Sequence, residues 1–511
     1  MRTARWRRAS RGGISVGIDV RAALGLVGTL LKLLSLSAIF PAVLAVGYSE
    51  SVWPFLAAGA IAGGIGLLLD RLRGDRRAGL REGFLVVSLT WLFAAAFGAL
   101  PYLMYPGLAD LSSPIDAYFE AMSGFTTTGA SVVTDVESLP HSIAMWRQFT
   151  QWLGGMGIIV LALAVLPRLR IGGRQLMEAE LPGPELEPLA VSIRSTARRL
   201  WVVYVALTAT QAVVLAVFGW TGIDDRMSLY EGVAHAFSTM PTGGFSTQAD
   251  SIASFAPASQ WVIVVFMVVA GANFALTYRS LVRGQVRAAA RDEELRVSLA
   301  LLALGSVLIL VELLRRDILG GEEAIRDSVF QAVSMMTTTG FASADFTLWT
   351  TLTAMTLVGL MFVGGSAGST GGSIKAVRHL LVARSLRREV VQTMHPEMVL
   401  PIRLNRVAVD ERTMRAIMTF VLLYFGLFVI GAAGLAIESA RFGAGLSPFE
   451  AIAAAATTLG NVGPGFGFAG PFGSFEPFSN LSKLIMIGLM WMGRLEIIPV
   501  LVLFSRSYWR T

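Results

Sequence analysis

The chain has 511 residues, 54% of them hydrophobic and only 15% charged, against about 25% charged in soluble domains. Cysteine is absent and the four histidines show no HExxH or other paired spacing, which excludes disulfides, thiol nucleophiles and the common zinc sites. The net charge of +7 rests almost wholly on arginine, since lysine occurs only at Lys32, Lys375 and Lys483. Those arginines fall in short loops between apolar runs, the distribution that orients a membrane protein rather than one that binds nucleic acid.

Arg2, Arg5, Arg7, Arg8 and Arg11 precede an apolar run from Ala23 to Val46. That run is too long for a signal-peptide core and predicts a retained first helix. A span needs about 20 apolar residues, and candidates follow at 24–47, 53–70, 83–105, 146–167, 199–220, 259–280, 297–315, 351–378, 412–437 and 481–506. Ten crossings give an all-α polytopic membrane protein. The arginine-rich N-terminus, the segments Arg71–Arg81, Arg168–Arg199, Arg279–Arg296 and Arg384–Arg415, and the tail with Arg506 and Arg510 then share one side. The positive-inside rule makes that side cytoplasmic.

Between spans three and four, five and six, seven and eight, and nine and ten lie shorter apolar segments. They end in Thr126-Thr127-Thr128-Gly129, Thr242-Gly243-Gly244, Thr337-Thr338-Thr339-Gly340 and Thr457-Thr458-Leu459-Gly460. Anchored on the last glycine, position −2 is Thr127, Thr242, Thr338 and Thr458. Position −6 is Ser123, Ser238, Ser334 and Ala454. These segments are too short to cross and fit re-entrant helices. All four clusters fall on the side opposite the arginines. The repeating unit is span, short helix, loop, span, used four times in parallel after two extra helices, an arrangement that encloses an axis along the membrane normal. The corresponding division is an N-terminal helix pair at 1–75 and four units at 76–180, 181–290, 291–400 and 401–511.

An ion crossing a bilayer must shed water, and a ring of backbone carbonyls can replace that shell. Glycine tolerates the backbone angles that turn successive carbonyls inward, and threonine adds a hydroxyl oxygen. Four such loops in phase therefore point to ion conduction. The outer loops carry Asp116, Glu120, Asp135, Asp224, Asp225, Asp250, Asp327 and Asp345. These acids either concentrate cations at a mouth or are ordinary solvated loop residues.

Span eight contains Gly364-Gly365-Ser366-Ala367-Gly368-Ser369-Thr370-Gly371-Gly372, five glycines in nine residues. Such a run should break the helix at a depth where irregular backbone survives only buried or lining water. It reads as a gate beneath the third loop or as a close helix-packing surface; a nucleotide P-loop is a poor fit, because Lys375 comes too late. Arg494 and Glu496 lie mid-span in span ten. A mid-membrane arginine costs about 2.5–3.5 kcal/mol or more and must face the interior. Residues two apart on a helix do not pair, so Arg494 should find carbonyls or another helix, with the glycine loop one candidate. Lys483 and Arg147, nearer span ends, are expected to snorkel.

These residues resemble the Trk/Ktr/HKT superfamily, specifically its TrkH-type membrane subunits of bacterial potassium uptake systems. The resemblance is carried in order by Phe125–Ala130, Gln151-Trp152-Leu153-Gly154-Gly155-Met156-Gly157, Thr242–Thr247, Gly271-Ala272-Asn273-Phe274, Thr337–Phe341, Gly364–Lys375, Leu459–Gly465 and Gly493-Arg494-Leu495-Glu496. It implies four pseudo-symmetric M1-P-M2 repeats around a central pore plus two N-terminal transmembrane helices. It implies a potassium-binding filter at Thr127, Thr128, Gly129, Thr242, Gly243, Gly244, Thr338, Thr339, Gly340, Thr458, Leu459, Gly460 and Asn461, holding a potassium ion with no other cofactor. The matching gate is Gly364, Gly365, Ser366, Gly368, Gly371, Gly372, Lys375 and Arg494. The family pattern also implies a homodimer in the cell inner membrane with both termini cytoplasmic, and a cytoplasmic TrkA-like regulatory subunit with nucleotide-binding RCK domains. Serine in place of the first filter glycine goes with sodium permeation in the family; Gly129 favours potassium. The alternatives are the pore subunit of a potassium-pumping P-type ATPase and, in another class, a non-transporting membrane enzyme or scaffold.

Overall fold

The computed structural model describes residues 18–72, 79–164, 189–442 and 445–510. Arg2, Arg5, Arg7, Arg8 and Arg11, most of the loop 71–81, the segment 168–188 and the end of the expected span 146–167 lie outside the described residues. The chain is mostly helical, and the strands among the described residues are two-residue pairs. Among the described residues six helices are long and apolar enough to cross a membrane, and two sharply bent pairs bring the number to eight.

Val20–Gly47 and Trp53–Asp70 form an N-terminal pair. A β-carbon on Gly28 would sit 2.7 Å from the Gly66 carbonyl oxygen, so the two backbones cross at small residues. Lys32 and Thr29 both bond Asp70, at 2.6 Å each. Large apolar side chains such as Leu33, Val43, Val46, Trp53 and Leu68 point outward, as a lipid-facing surface requires.

Four short helices follow between the longer ones: Pro114–Phe125, Leu229–Thr239, Gly321–Met336 and Pro448–Gly460. Their starts are written in the sequence. Ser113, Ser228 and Ser447 stand in extended backbone just before three of them. Ser447 and Glu450 form a reciprocal capping box, and proline opens the first and fourth helices, where its missing N–H is harmless. One buried cluster joins the N-terminal pair, the first short helix and the fourth, through Trp146, Phe119, Phe125, Phe475 and Met490. A second joins the third and fourth through Phe330, Ala453, Phe341 and Phe466, with Ile263 from the helix that follows the second. The core is thus wrapped around the ends of the short helices.

The helices after the second, third and fourth short helices depart from the straight spans expected, whereas the one after the first runs on. His141–Ala164 continues for 24 residues but carries Arg147, Gln148 and Gln151 on its buried side. The expected span 259–280 bends by 111° between Pro257–Gly271 and Phe274–Arg283. The expected span 351–378 is an 11-residue helix, Thr351–Met361, that ends at the glycine-rich segment. The expected span 481–506 bends by 117° between Asn480–Arg494 and Ile498–Phe504. The first bend follows from Asn273, whose side chain caps the second half by accepting from the Ala275 and Leu276 amides. The last coincides with positive φ at Glu496 and Ile497.

Candidate ion pathway: a ring of four loops

Each short helix ends in a residue with left-handed backbone: Thr127 (φ 53°), Thr242 (57°), Thr338 (60°) and Asn461 (53°). A β-branched residue is rarely found there, so three threonines at this angle mark strain that the surroundings must hold. Two residues later come Gly129 (84°), Gly244 (80°), Gly340 (82°) and Gly463 (118°). The amide between them donates back to the helix in every loop: Thr128 to Ser123, Gly243 to Ser238, Thr339 to Ser334 and Val462 to Thr457, at 2.8 to 2.9 Å.

These angles correct the fourth loop. Gly460 is the last residue of its helix, and Thr458 lies inside that helix with its hydroxyl donated to the Ala454 carbonyl at 2.6 Å. The conformational partner of Gly129 is Gly463, so the register expected from the Thr457–Gly460 cluster is three residues too early. The matched positions are Asn461 for Thr127 and Thr457 for Ser123. Position −13 is then acidic throughout: Asp116, Glu231, Asp327 and Glu450.

The four glycines close a ring. A β-carbon on Gly129 would lie 2.2 Å from the Gly243 carbonyl oxygen; on Gly244, 2.1 Å from that of Thr339; on Gly340, 1.9 Å from that of Val462; on Gly463, 2.8 Å from that of Thr128. Each loop therefore abuts the carbonyl of the next, in chain order, and the fourth returns to the first. The ring is made of neutral oxygens. Among the described residues no group of three or more His, Asp or Glu is placed to hold a metal ion. Hard divalent cations take carboxylates, whereas carbonyl rings suit a monovalent ion that gives up its water. Each helix also directs its C-terminal end, the negative end of its dipole, into its loop.

The loops are braced from behind. Gln151 donates to the Gly243 carbonyl at 2.6 Å and accepts from the Phe245 amide at 3.2 Å. Asn461 donates to the Thr128 hydroxyl and the Met490 carbonyl, both at 3.0 Å. Thr126 and Thr128 share a hydrogen bond at 2.7 Å, and Thr337 and Thr339 share one at 2.8 Å. Arg147 does not snorkel: it pairs with Glu120 at 2.7 Å, with 1% and 0% of the two side chains exposed, and lies over the Phe245 ring. Lys483 is likewise buried and pairs with Asp116 at 2.6 Å. Of the outer acids, Glu120 also receives the Val132 amide, Asp224 receives Ser259, and Asp327 receives Ser343. These carboxylates hold loops in place.

The glycine-rich segment lies directly beneath the ring. A parallel pairing of Val363–Gly364 with Ile374–Lys375 ties its ends together. The Gly372 amide donates to the Thr338 hydroxyl at 2.7 Å, and a β-carbon on Gly372 would lie 2.2 Å from the Gly460 carbonyl oxygen. Thr370 donates to the Met240 carbonyl at 3.0 Å. Gly365, Ser366 and Gly371 are buried, the Ser366 amide donating to Gly271, and Gly368 is the exposed tip with φ 77°. Lys375 donates to the Gly371 carbonyl, and Arg494 donates to the Thr370 carbonyl at 2.8 Å, leaving its Nε and second terminal nitrogen without partners. Glu496 pairs instead with Arg378 at 2.6 Å. Leu459 is buried in the fourth helix against the following span, where a β-carbon on Gly493 would lie 1.9 Å from its carbonyl oxygen.

Val462 and Gly463 in the ring, Gln151 beside it and Asn273 at the glycine-rich segment stand within the sequence motifs but were not assigned to the site, and Glu294, whose carboxylate receives the Ala367 amide at 2.6 Å and the Val377 amide at 3.2 Å, was missed. The Asn461-Val462-Gly463 triplet could have been found by demanding an acid at −13.

The family model described as TrkH, cation transport protein, matches residues 56–511. The Trk system potassium uptake protein TrkH of Salmonella typhimurium is 36% identical over 96% of this chain and 99% of its own length. The Trk system potassium uptake protein TrkG of Escherichia coli is 34% identical, again over 96% of this chain and 99% of its own. The crystal structure of the potassium transporter TrkH from Vibrio parahaemolyticus superposes with a TM-score of 0.85 at 33% identity, covering 96% of this chain and 100% of that one. With the ring, the segment beneath it and these likenesses together, the chain belongs to the TrkH family of cation transport proteins, transporters rather than enzymes.

Proposed function

We propose that this multi-pass membrane protein is the potassium-conducting subunit of a Trk-type uptake system, built as four M1-P-M2 units around one pore. The observation that carries it is the closed succession of glycines 129, 244, 340 and 463, each against the next loop's carbonyl. The filter we assign comprises Thr127, Thr128 and Gly129; Thr242, Gly243 and Gly244; Thr338, Thr339 and Gly340; and Asn461, Val462 and Gly463, with potassium as cargo. Relatives named as Trk system potassium uptake proteins support this reading over a pump subunit. We assign the gate to Gly364–Gly372 with Lys375 and Arg494: the segment is hydrogen-bonded to the ends of the second and third short helices and packs against the end of the fourth, and a buried cation below a ring of carbonyls opposes a permeating one. The word "system" in the relatives' names supports further components; in our reading these are a second copy of this chain and a cytoplasmic TrkA-like RCK-domain regulator, at the inner membrane, with both termini cytoplasmic.

The test is flux of potassium, rubidium and sodium into liposomes, with and without the regulator. Wild type should pass potassium and rubidium and reject sodium, and Gly129→Ser should admit sodium. No potassium flux in either condition would end the transport reading, and unchanged selectivity in the mutant would end the filter assignment. Arg494→Ala should raise basal flux; an unaltered rate would remove Arg494 from the gate.

A further inference from the structure

Away from the ring, a cavity of 610 Å³ is lined by Asn273, Arg279, Arg291, Arg296 and Arg406, together with Asp292 and Glu293. Its volume is that of a small-molecule site. The carboxylates are already engaged. Asp292 receives the Leu295 amide at 2.8 Å and the Asn405 side chain at 2.9 Å, and Glu293 pairs with Arg384 at 2.7 Å. None of the four lining guanidiniums makes an ion pair among the described residues. The cavity therefore offers four cations without a direct carboxylate contact in one concave place, Arg296 lying near Glu293, the arrangement that recognises phosphate oxygens.

Its position favours a lipid source for that phosphate. The helix Phe274–Arg283 runs nearly perpendicular to the span it leaves, after the 111° bend. Its neighbours Leu281, Val282 and Val286 are exposed and apolar beside Arg279 and Arg291. Exposed aliphatic side chains interleaved with arginines are the pattern of a helix lying in a headgroup layer.

The same walls hold the glycine-rich segment. The Phe274 amide donates to the Gly368 carbonyl at 3.2 Å, and a β-carbon on Gly368 would lie 3.5 Å from the Asn273 side chain. Glu294, next to the lining residue Glu293, receives both Ala367 and Val377. We infer that this cavity binds a phosphate-ester anion, that of an anionic phospholipid headgroup, and that its occupant steadies the seated position of Gly364–Gly372. A ligand favours the conformation it fits, so occupancy lowers basal flux.

The test uses the full chain purified in neutral detergent, with short-chain phosphatidylglycerol, phosphatidylcholine and inorganic pyrophosphate as probes and thermal unfolding as readout. Phosphatidylglycerol should raise the midpoint and phosphatidylcholine should not. Arg279→Gln or Arg296→Gln should each raise the half-saturating concentration about tenfold, the loss of one charge-assisted bond, while Arg387→Gln, an exposed arginine outside the cavity, should leave it unchanged. A shift with pyrophosphate alone would support the phosphate site and overturn the lipid source. A phosphatidylglycerol shift unaffected by either cavity variant, or no shift with any probe, would overturn the site. A second readout rests on the transport reading: adding phosphatidylglycerol to phosphatidylcholine liposomes should reduce basal potassium flux of wild type but not of Arg279→Gln. Equal reduction in both would overturn the coupling, and the binding result stands or falls separately from transport.

Discussion

The first and fourth loops reach one backbone shape by different chemistry. The first places Thr127 in the left-handed position and is braced by charge, with Glu120 and Arg147 behind it and Asp116 held by Lys483. The fourth places Asn461 there, a residue that adopts this conformation far more readily, and is braced by the Ser447–Glu450 capping box, with no ion pair to Glu450 among the described residues, and by the amide of Asn461 itself. Strain in the first loop is thus opposed by buried ion pairs, whereas the fourth carries less strain and needs less restraint. What the two share is the terminal glycine and the carbonyl it abuts.

Three substitutions separate these contributions. The largest effect on stability should come from Arg147→Met, which leaves Glu120 buried without its counter-charge at about 3–5 kcal/mol; thermal unfolding in detergent should show it, and a midpoint within error of wild type would mean that the first loop does not depend on charge. Next is Gly463→Ala, whose β-carbon would meet the Thr128 carbonyl at 2.8 Å at a φ of 118°, with backbone strain alone on the order of 1–3 kcal/mol. Rubidium flux should be lost in Gly463→Ala and largely kept in Gly460→Ala, which sits in a helix. The reverse ranking would restore the earlier register. Smallest is Asn461→Thr, which imports the first loop's residue into the fourth and removes the amide's bonds to the Thr128 hydroxyl and the Met490 carbonyl, at about 0.5–1.5 kcal/mol each. It should lower the midpoint while preserving the potassium-to-sodium flux ratio; lost selectivity would show that the asparagine is not interchangeable with threonine in the ring.

Much of this was legible in the residues. Apolar runs with arginine-rich loops read as a membrane protein because a bilayer imposes length and charge rules locally. The Thr/Gly clusters located three loops to the residue, since Thr-x-Gly there coincides with the helix end. The fourth failed because Thr457-Thr458 lies within a helix that runs on to Gly460, and a pattern match cannot see where a helix stops. The Asn273 and Leu495–Ile497 bends escaped because each bent pair, taken as a whole, is apolar enough to read as a single span. The fate of Arg147 and Lys483 depended on Glu120 and Asp116 arriving from other elements, a tertiary fact that spacing along one helix does not contain.

The interlock among the glycines has a consequence for how the four units can diverge. No unit owns its wall of the ring, because the space each glycine leaves is filled by the neighbour's carbonyl. The residues that supply those carbonyls differ from loop to loop, being Thr128, Gly243, Thr339 and Val462. The contact itself must be inherited in all four places at once. Four such loops in one polypeptide can therefore be specialised separately, something a tetramer of identical subunits cannot do.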